Sequence, residues 1–266
     1  MRKILALTRA DGLTTLSYRL QTLAWLGGLL VTIVPLYFVA QALQPLMSNA
    51  IATEGHEYFG FLLVGIIAFL LLTTVVTALP GAIQSGISRG TLEAMLATPT
   101  PLPVLLTGML GFPLLMTIIR ATVILVAAWV LGAHVVWARG FAALGVLMLI
   151  ALAYLPFAIL SASLILAFRT AGPLPTAVLT LSGLLGGVYY PTQVIPSWLH
   201  HASAFVPLTY GLRALRRTLL DRAAFDALAP DLVMLAGFTV VLLGASLVLF
   251  SWALRHARRA GTLAQY

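Results

Sequence analysis

Long apolar runs, several of them 18 residues or more, dominate this sequence and are separated by short polar segments. A run of this length crosses the hydrocarbon core of a bilayer when it forms an α-helix. Charged residues make up only 8% of the chain and the mean hydropathy is +1.05, values that exclude an ordinary soluble domain. The alternation of a β-barrel is absent, and a spanning backbone must satisfy its own hydrogen bonds. The sequence therefore predicts an all-α polytopic membrane protein, with a single transmembrane domain over residues 1–266.

Six of the apolar runs are predicted to span the membrane. Lys and Arg concentrate in the cytoplasmic segments of membrane proteins, and placing both termini inside gives that distribution for most of the basic residues. The arginines from Arg213 to Arg222, which follow the fifth run, conflict with this orientation. The predicted spans cover residues 22–43, 59–79, 104–131, 141–168, 176–188 and 232–254.

Two further segments are too apolar for free loops. Residues 1–21 alternate basic residues with leucines, a pattern typical of a helix in the headgroup region, with a disordered basic start as the alternative. Residues 189–229 are predicted to form two short helices that begin near Pro196 and Pro207. We interpret these as re-entrant helices that dip into the membrane from outside, with an amphipathic surface hairpin as the alternative.

Residues 84–103 interrupt the apolar first half and contain a short predicted helix. Leu92, Met95 and Leu96 follow at helical spacing, and Pro99 begins a group of prolines that prevents the helix from continuing. A helix this short cannot bury its apolar face against itself. We therefore predict that it docks on a partner protein in the cytoplasm, where the orientation above places the loop.

The residues that catalysis requires are scarce. The phosphate-binding loop of ATPases needs a lysine, and the only one here is Lys3. The five histidines form no H-E-x-x-H motif and there is no cysteine. Every acid lies at or outside a predicted span end, which disfavours proton or sodium coupling. We therefore predict no catalytic residue, metal site or cofactor on this chain, and we assign its net charge of +8 to lipid headgroups rather than nucleic acid.

Four arginines are candidates for contact with an anionic group. Arg120 lies near the middle of the third run, where a charge usually has a function; the alternative is that it extends to the interface and bonds water or carbonyls. Arg213, Arg216 and Arg217 share one face of a predicted helix. That face either attracts an anionic glycan or lipid phosphate, or holds an interfacial helix at the headgroups.

Two segments resemble a known family. SRGTLEAMLATP at residues 88–99 is similar to the cytoplasmic coupling segment of six-helix ABC exporter permeases, the transmembrane subunits of ABC type 2 transporters. GGVYYPTQVIPSWLHHASAFVPLTYGLRALR at residues 186–216 resembles a second motif of that family. Arg213 departs from this motif, because the family often has Glu at that position. Both motifs occur in the family's order on a chain with six predicted spans.

The resemblance implies a permease that dimerises and binds two copies of a separate ATPase subunit, which carries the ATP and Mg. It further implies that the coupling helix sits in a cleft of the ATPase. The implied coupling residues are Arg89, Gly90, Thr91, Leu92, Glu93, Met95, Leu96 and Pro99. Together with Arg120, which is a candidate from its position in the third run, the candidate residues of a substrate pathway or gate are Tyr189, Tyr190, Pro191, Tyr210, Arg213 and Arg216.

The expected function is that of a permease subunit in the bacterial inner membrane, with both termini cytoplasmic and no ATPase site of its own. It would move a drug, a lipid or a lipid-linked glycan out of the cytoplasm. Two alternatives belong to other classes: a membrane scaffold that holds a cytosolic partner without transporting, and an ion-coupled carrier.

Overall fold

The computed structural model describes residues 19–52, 57–90, 102–133, 136–168, 172–221 and 225–259. Over these ranges the backbone forms eight α-helices and two short 3-10 helices, with no β-strand. The predicted all-α class is confirmed for these residues. The α-helices are α1 (Arg19–Ile51), α2 (Tyr58–Ser88), α3 (Leu102–Val130), α4 (Gly140–Phe168), α5 (Leu174–Leu185), α6 (Ser197–Ser203), α7 (Pro207–Leu219) and α8 (Phe225–Arg259), and the 3-10 helices are Trp137–Arg139 and Thr192–Val194.

Five of the described helices are long and apolar enough to cross a membrane. The fifth predicted span instead forms α5, whose 12 residues reach only about 18 Å at 1.5 Å per residue, short of a ~30 Å hydrocarbon core. The chain turns after α5 at Gly187, whose φ of +79° favours glycine. A sixth full crossing therefore stays a prediction. The five candidate spans are Val31–Ile51, Tyr58–Ser88, Gly108–Val130, Gly140–Ile165 and Asp226–Trp252.

Helix α2 is longer than the apolar run that predicted it. The predicted span ended at Leu79, whereas the helix continues through Pro80 and several polar residues to Ser88. The hydroxyls of Ser85 and Ser88 donate to backbone carbonyls of the same helix, at 2.9 and 3.1 Å. Hydropathy falls where a helix leaves the bilayer, although its backbone hydrogen bonds continue. The first residues of the predicted coupling segment therefore extend α2.

The core is built around α2 and α4. In the most apolar stretch of α2, 72% of the residues are buried, and this helix packs on α4, α3 and α1. Helix α4 buries small residues, including Ala153, Ala158 and Ser161, which let neighbouring helices approach closely. By contrast, α1, α3 and α8 leave apolar side chains such as Phe38 and Trp129 exposed. Such faces are expected of helices that meet lipid.

The connection between α5 and α8 packs onto the long helices. It contains α6 and α7, and we refer to residues 186–220 as the hairpin segment. Pro196 directly precedes α6 and Pro207 is the first residue of α7, as predicted. Helix α7 packs on α4 and α8 and also contacts α2. At Gly211 it lies so close to α4 that an added Cβ would meet Ile150 Cγ1 at 2.5 Å. The depth of this segment in the bilayer stays a prediction.

Candidate functional site

Arg216 of α7 points into the helix bundle and is 2% exposed. Its Nη2 donates to the carbonyl oxygens of Gly187 at 2.8 Å and Val188 at 3.2 Å, and its Nε donates to that of Phe61 at 3.3 Å. The guanidinium carbon also lies 3.3 Å from the centroid of the Phe61 ring, in a cation–π contact. Arg216 thus connects α2, the turn after α5 and α7. This buried position differs from the headgroup contact that the sequence left open.

Gly65 makes room for this guanidinium on α2. It lies one helical turn after Phe61, and a Cβ at this position would overlap the Val188 carbonyl oxygen and come within 3.1 Å of Arg216 Nη2. Because glycine has no Cβ, the turn after α5 and the guanidinium both approach the α2 backbone. Sequence reasoning missed Gly65, since one glycine in an apolar run carries no signal of what packs against it.

Two other arginines of α7 bind an acid of α8. Arg213 Nη2 lies 2.8 Å from Asp231 Oδ1, and Arg217 Nη1 lies 3.8 Å from Asp231 Oδ2. The Arg213 guanidinium also lies 5.5 Å from the ring centroid of Tyr210. The prediction that every acid lies at or outside a span end was wrong for Asp231. The last span was predicted from residue 232, but α8 begins at Phe225, which places this acid in its second turn with 8% of its side chain exposed.

The predicted gate residues that follow α5 form contacts through hydroxyls and backbone. Tyr58, at the start of α2, donates its hydroxyl to the carbonyl oxygen of Tyr189 at 2.8 Å. The Tyr190 hydroxyl donates to the Leu184 carbonyl oxygen at 2.6 Å, which ties the turn to the end of α5. Pro191 is buried directly before the second 3-10 helix, while the Tyr189 side chain is 45% exposed. The turn is therefore held at both of its ends.

A buried hydroxyl of α4 holds the start of α7. The Tyr154 hydroxyl lies 2.8 Å from the Ser182 Oγ of α5, and it accepts a hydrogen bond from the Leu208 backbone nitrogen at 3.3 Å. Tyr154 is fully buried. Sequence reasoning missed this group, although a tyrosine in the middle of an apolar run was a usable signal, because a buried tyrosine hydroxyl usually has a partner.

Comparison with known proteins identifies the family of this helical chain. Residues 17–220, well over half of the chain, match the family model described as ABC-2 type transporter. The chain belongs to the ABC-2 type transporter family. Over 199 residues it is 27% identical to Nodulation protein J of Bradyrhizobium diazoefficiens, which covers 74% of this chain and 75% of the relative. The family named from the two motifs is thus confirmed, and the chain is a transmembrane subunit of an ABC transporter.

Two of the predicted coupling residues of this ABC-2 subunit adjoin the end of α2. Arg89 and Gly90 directly follow the helix, and Gly90 has a φ of +67°, so the chain turns away from the helix axis there. The other predicted coupling residues lie outside the described residues, and their contacts stay a prediction. They are Thr91, Leu92, Glu93, Met95, Leu96 and Pro99.

Arg120 lies on α3, whereas the arginines of the hairpin segment in this ABC-2 subunit lie on α7. It is half-buried on α3, next to the exposed side chains of Ile118 and Ile119. Helix α3 packs mainly on α2 and α1. The structure therefore brings Arg213 and Arg216 into one segment with Tyr189 and does not add Arg120 to it, so a role for Arg120 in substrate contact stays a prediction.

Proposed function

We propose that this subunit is the permease of an ATP-driven exporter that moves a drug, a lipid or a lipid-linked glycan out of the cytoplasm. Two permease copies would form the membrane part, and two copies of a separate ATPase subunit would bind ATP and Mg. The complex would reside in a bacterial inner membrane, with both permease termini in the cytoplasm. Members of the family typically work with an ATPase subunit, which supports this assignment.

The position of the coupling sequence carries the proposal. Helix α2 is continuous from Tyr58 to Ser88, and the R-G-T-L-E sequence starts at the very next residue. A displacement applied to that sequence would therefore act on one end of a spanning helix. Leu92, Met95 and Leu96 occur at the spacing of one helix face, which is the form in which helices bind hydrophobic grooves of partner proteins.

The apolar character of the spans supports the proposed substrate class. Helices with so few charged residues present surfaces that suit amphiphiles with a lipid or apolar part better than they suit free ions. Asp231, the buried acid in the second turn of α8, is paired with Arg213 and so differs from an acid that binds and releases a coupling ion. The ion-coupled alternative gains no support from this pair.

Co-purification tests the proposal. The tagged chain, solubilised in mild detergent after co-expression with its genomic neighbours, should bring down a cytosolic P-loop protein in stoichiometric amount. Leu96→Asp should abolish this recovery, because it places a charge in the apolar face. Ala94→Asp is the matched control, since the same charge would lie on the opposite side of the predicted helix and should leave recovery intact.

Two results would contradict the proposal. Recovery of this chain without any P-loop protein would favour the scaffold or the carrier. Transport that continues with ATP absent, and stops when the ion gradient is collapsed, would identify a carrier.

A further inference from the structure

We propose that Arg216 is a positioning residue that ties the hairpin segment to α2, so that the helix ending at the coupling sequence carries the hairpin segment with it. This inference rests on the proposed function, because it needs an ATPase that moves the coupling sequence. It assigns a role to two residues, Arg216 and Gly65, that the motifs alone do not define.

The contacts of Arg216 that form this tie between α2 and the hairpin segment are buried, so water cannot easily replace them. The guanidinium donates to three backbone carbonyls, of Phe61 on α2 and of Gly187 and Val188 in the turn after α5, and is 2% exposed. The bonds to Gly187 and Val188 lie within the hairpin segment, and the bond to Phe61 joins that segment to α2. Separating the two would break the Phe61 bond and the contact with the Phe61 ring, and would leave a buried carbonyl and a buried N–H of a charged group without their partners. Movement of the two parts together keeps every one of these bonds.

Gly65 sets the geometry of the tie. The Val188 carbonyl oxygen occupies the space that a Cβ would fill at this position, and Arg216 Nη2 would lie 3.1 Å from that Cβ. A methyl group there would push the Val188 carbonyl oxygen off the α2 backbone without removing any charge or hydrogen-bonding group. Gly65→Ala is therefore a way to loosen the tie while Arg216 stays in place.

The other polar contacts of α7 reach α4 and α8. The Arg213–Asp231 pair joins α7 to α8, but the Arg213 side chain is 37% exposed, so water can take its place. The hydrogen bond from the Leu208 nitrogen to Tyr154 on α4 is 3.3 Å long, equal to the bond from Arg216 Nε to the Phe61 carbonyl oxygen. On the α2 side, the Tyr58 hydroxyl adds a second bond to the turn, at 2.8 Å from the Tyr189 carbonyl oxygen. Helix α2 therefore holds the hairpin segment through Arg216, Tyr58 and the close approach at Gly65, in addition to the packing of α7 on α4 and α8.

The tie and the coupling sequence lie at opposite ends of one helix. Phe61 and Gly65 fall within the first turns of α2, and the coupling sequence begins after Ser88. At 1.5 Å per residue the 31 residues of α2 reach about 46 Å, which is enough to cross the bilayer. A continuous helix of this length, here with Pro80 inside it, would connect a displacement at one end to the segment bound at the other.

The test uses the absence of cysteine from the natural sequence. His200→Cys places one thiol on the exposed α6, and its labelling by a membrane-impermeant maleimide is followed in the complex with its ATPase, reconstituted in nanodiscs. Labelling is compared without nucleotide and with ATP plus vanadate. We expect the two rates to differ by roughly tenfold, within the usual range of coupling between distant sites.

Gly65→Ala should reduce this ratio to below about twofold while ATP hydrolysis continues, because the coupling between the two ends is lost. Gly81→Ala makes the same change in the same helix, where a Cβ would meet nothing within 4 Å, and should keep the full ratio. If Gly65 has a purely structural role, Gly65→Ala should lower the yield of folded complex, but the complex that does fold should keep the full ratio of labelling rates.

Arg216→Lys keeps the positive charge but loses the planar guanidinium group, which can donate to several carbonyls at once. We therefore expect a ratio of labelling rates between that of the parent complex and that of Gly65→Ala. If Gly65→Ala fails to fold, the labelling ratio of Arg216→Lys alone tests the inference. The inference is overturned if Arg216→Lys and the folded Gly65→Ala protein both keep the full ratio. It is also overturned if the parent complex hydrolyses ATP with no change in labelling, a result that leaves the proposed function standing. Failure of any ATPase to co-purify would instead remove the proposed function, and the inference with it.

Discussion

Asp231 and Arg213 form an ion pair at 2.8 Å that joins the second turn of α8 to α7. The Asp231 side chain is 8% exposed, so its carboxylate depends on the arginine for compensation of its charge. In the permease motif that residues 186–216 resemble, Glu often stands where this chain has Arg213. A glutamate at position 213 would face Asp231 with like charge. The arginine that departs from the motif is therefore the residue that compensates the charge of the buried acid.

Loss of this pair should destabilise the protein. Asp231→Ala is expected to lower the free energy of unfolding by about 1–2 kcal/mol, less than a fully buried pair would because Arg213 is partly exposed. Thermal unfolding in detergent measures the change. Asp226→Ala removes an exposed acid from the same helix and serves as the control. The interpretation is wrong if both variants lose equal stability, or if the charge-swapped double variant Arg213→Asp/Asp231→Arg recovers none of it.

The Tyr154 hydroxyl should stabilise the start of α7. Tyr154→Phe removes the acceptor for the Leu208 nitrogen and the partner of Ser182, at an expected cost of about 1–2 kcal/mol. In a double-mutant cycle the effects of Tyr154→Phe and Ser182→Ala should be less than additive, because each removes the same hydrogen bond. Tyr37→Phe on α1 is the control for loss of a tyrosine hydroxyl elsewhere. Strict additivity would show that the two hydroxyls do not act together.

The close approach of α7 to α4 should tolerate no side chain at Gly211. Gly211→Ala places a Cβ against the buried Ile150, and overpacking of this kind is expected to cost about 1–3 kcal/mol. Ile150→Ala in the same chain should restore part of the loss, since it frees the space. Gly145→Ala on α4, where the added group meets nothing within 4 Å, should be close to neutral. If Gly145→Ala and Gly211→Ala have the same melting temperature, α7 does not pack on α4 as described.

Several elements were predictable because they depend on local physics. The starts of α6 and α7 were predicted from Pro196 and Pro207, since the fixed φ of proline and its missing N–H suit the first turn of a helix. The errors lay where helices pass beyond the apolar core. Helix α2 continues to Ser88 and α8 begins at Phe225, because backbone hydrogen bonding does not stop where hydropathy falls.

The arginines of α7 show where sequence reasoning ended. The spacing of Arg213, Arg216 and Arg217 predicted a shared helix face but left the partner of that face open. In the structure Arg216 enters the bundle, while its two neighbours meet an acid of α8. Periodicity defines the direction in which side chains point along one helix, and it carries no information about the helix that comes to lie opposite.

The sequence by itself determined the membrane class, most of the long helices and the family, because apolar run length and two contiguous motifs are properties of neighbouring residues. Only the tertiary structure decided which polar groups meet. The bond from Arg216 to Phe61 joins residues 155 positions apart, and it forms because Gly65 leaves room beside it and the turn after α5 reaches the same place. Contacts of that kind depend on how helices pack, which no local pattern records.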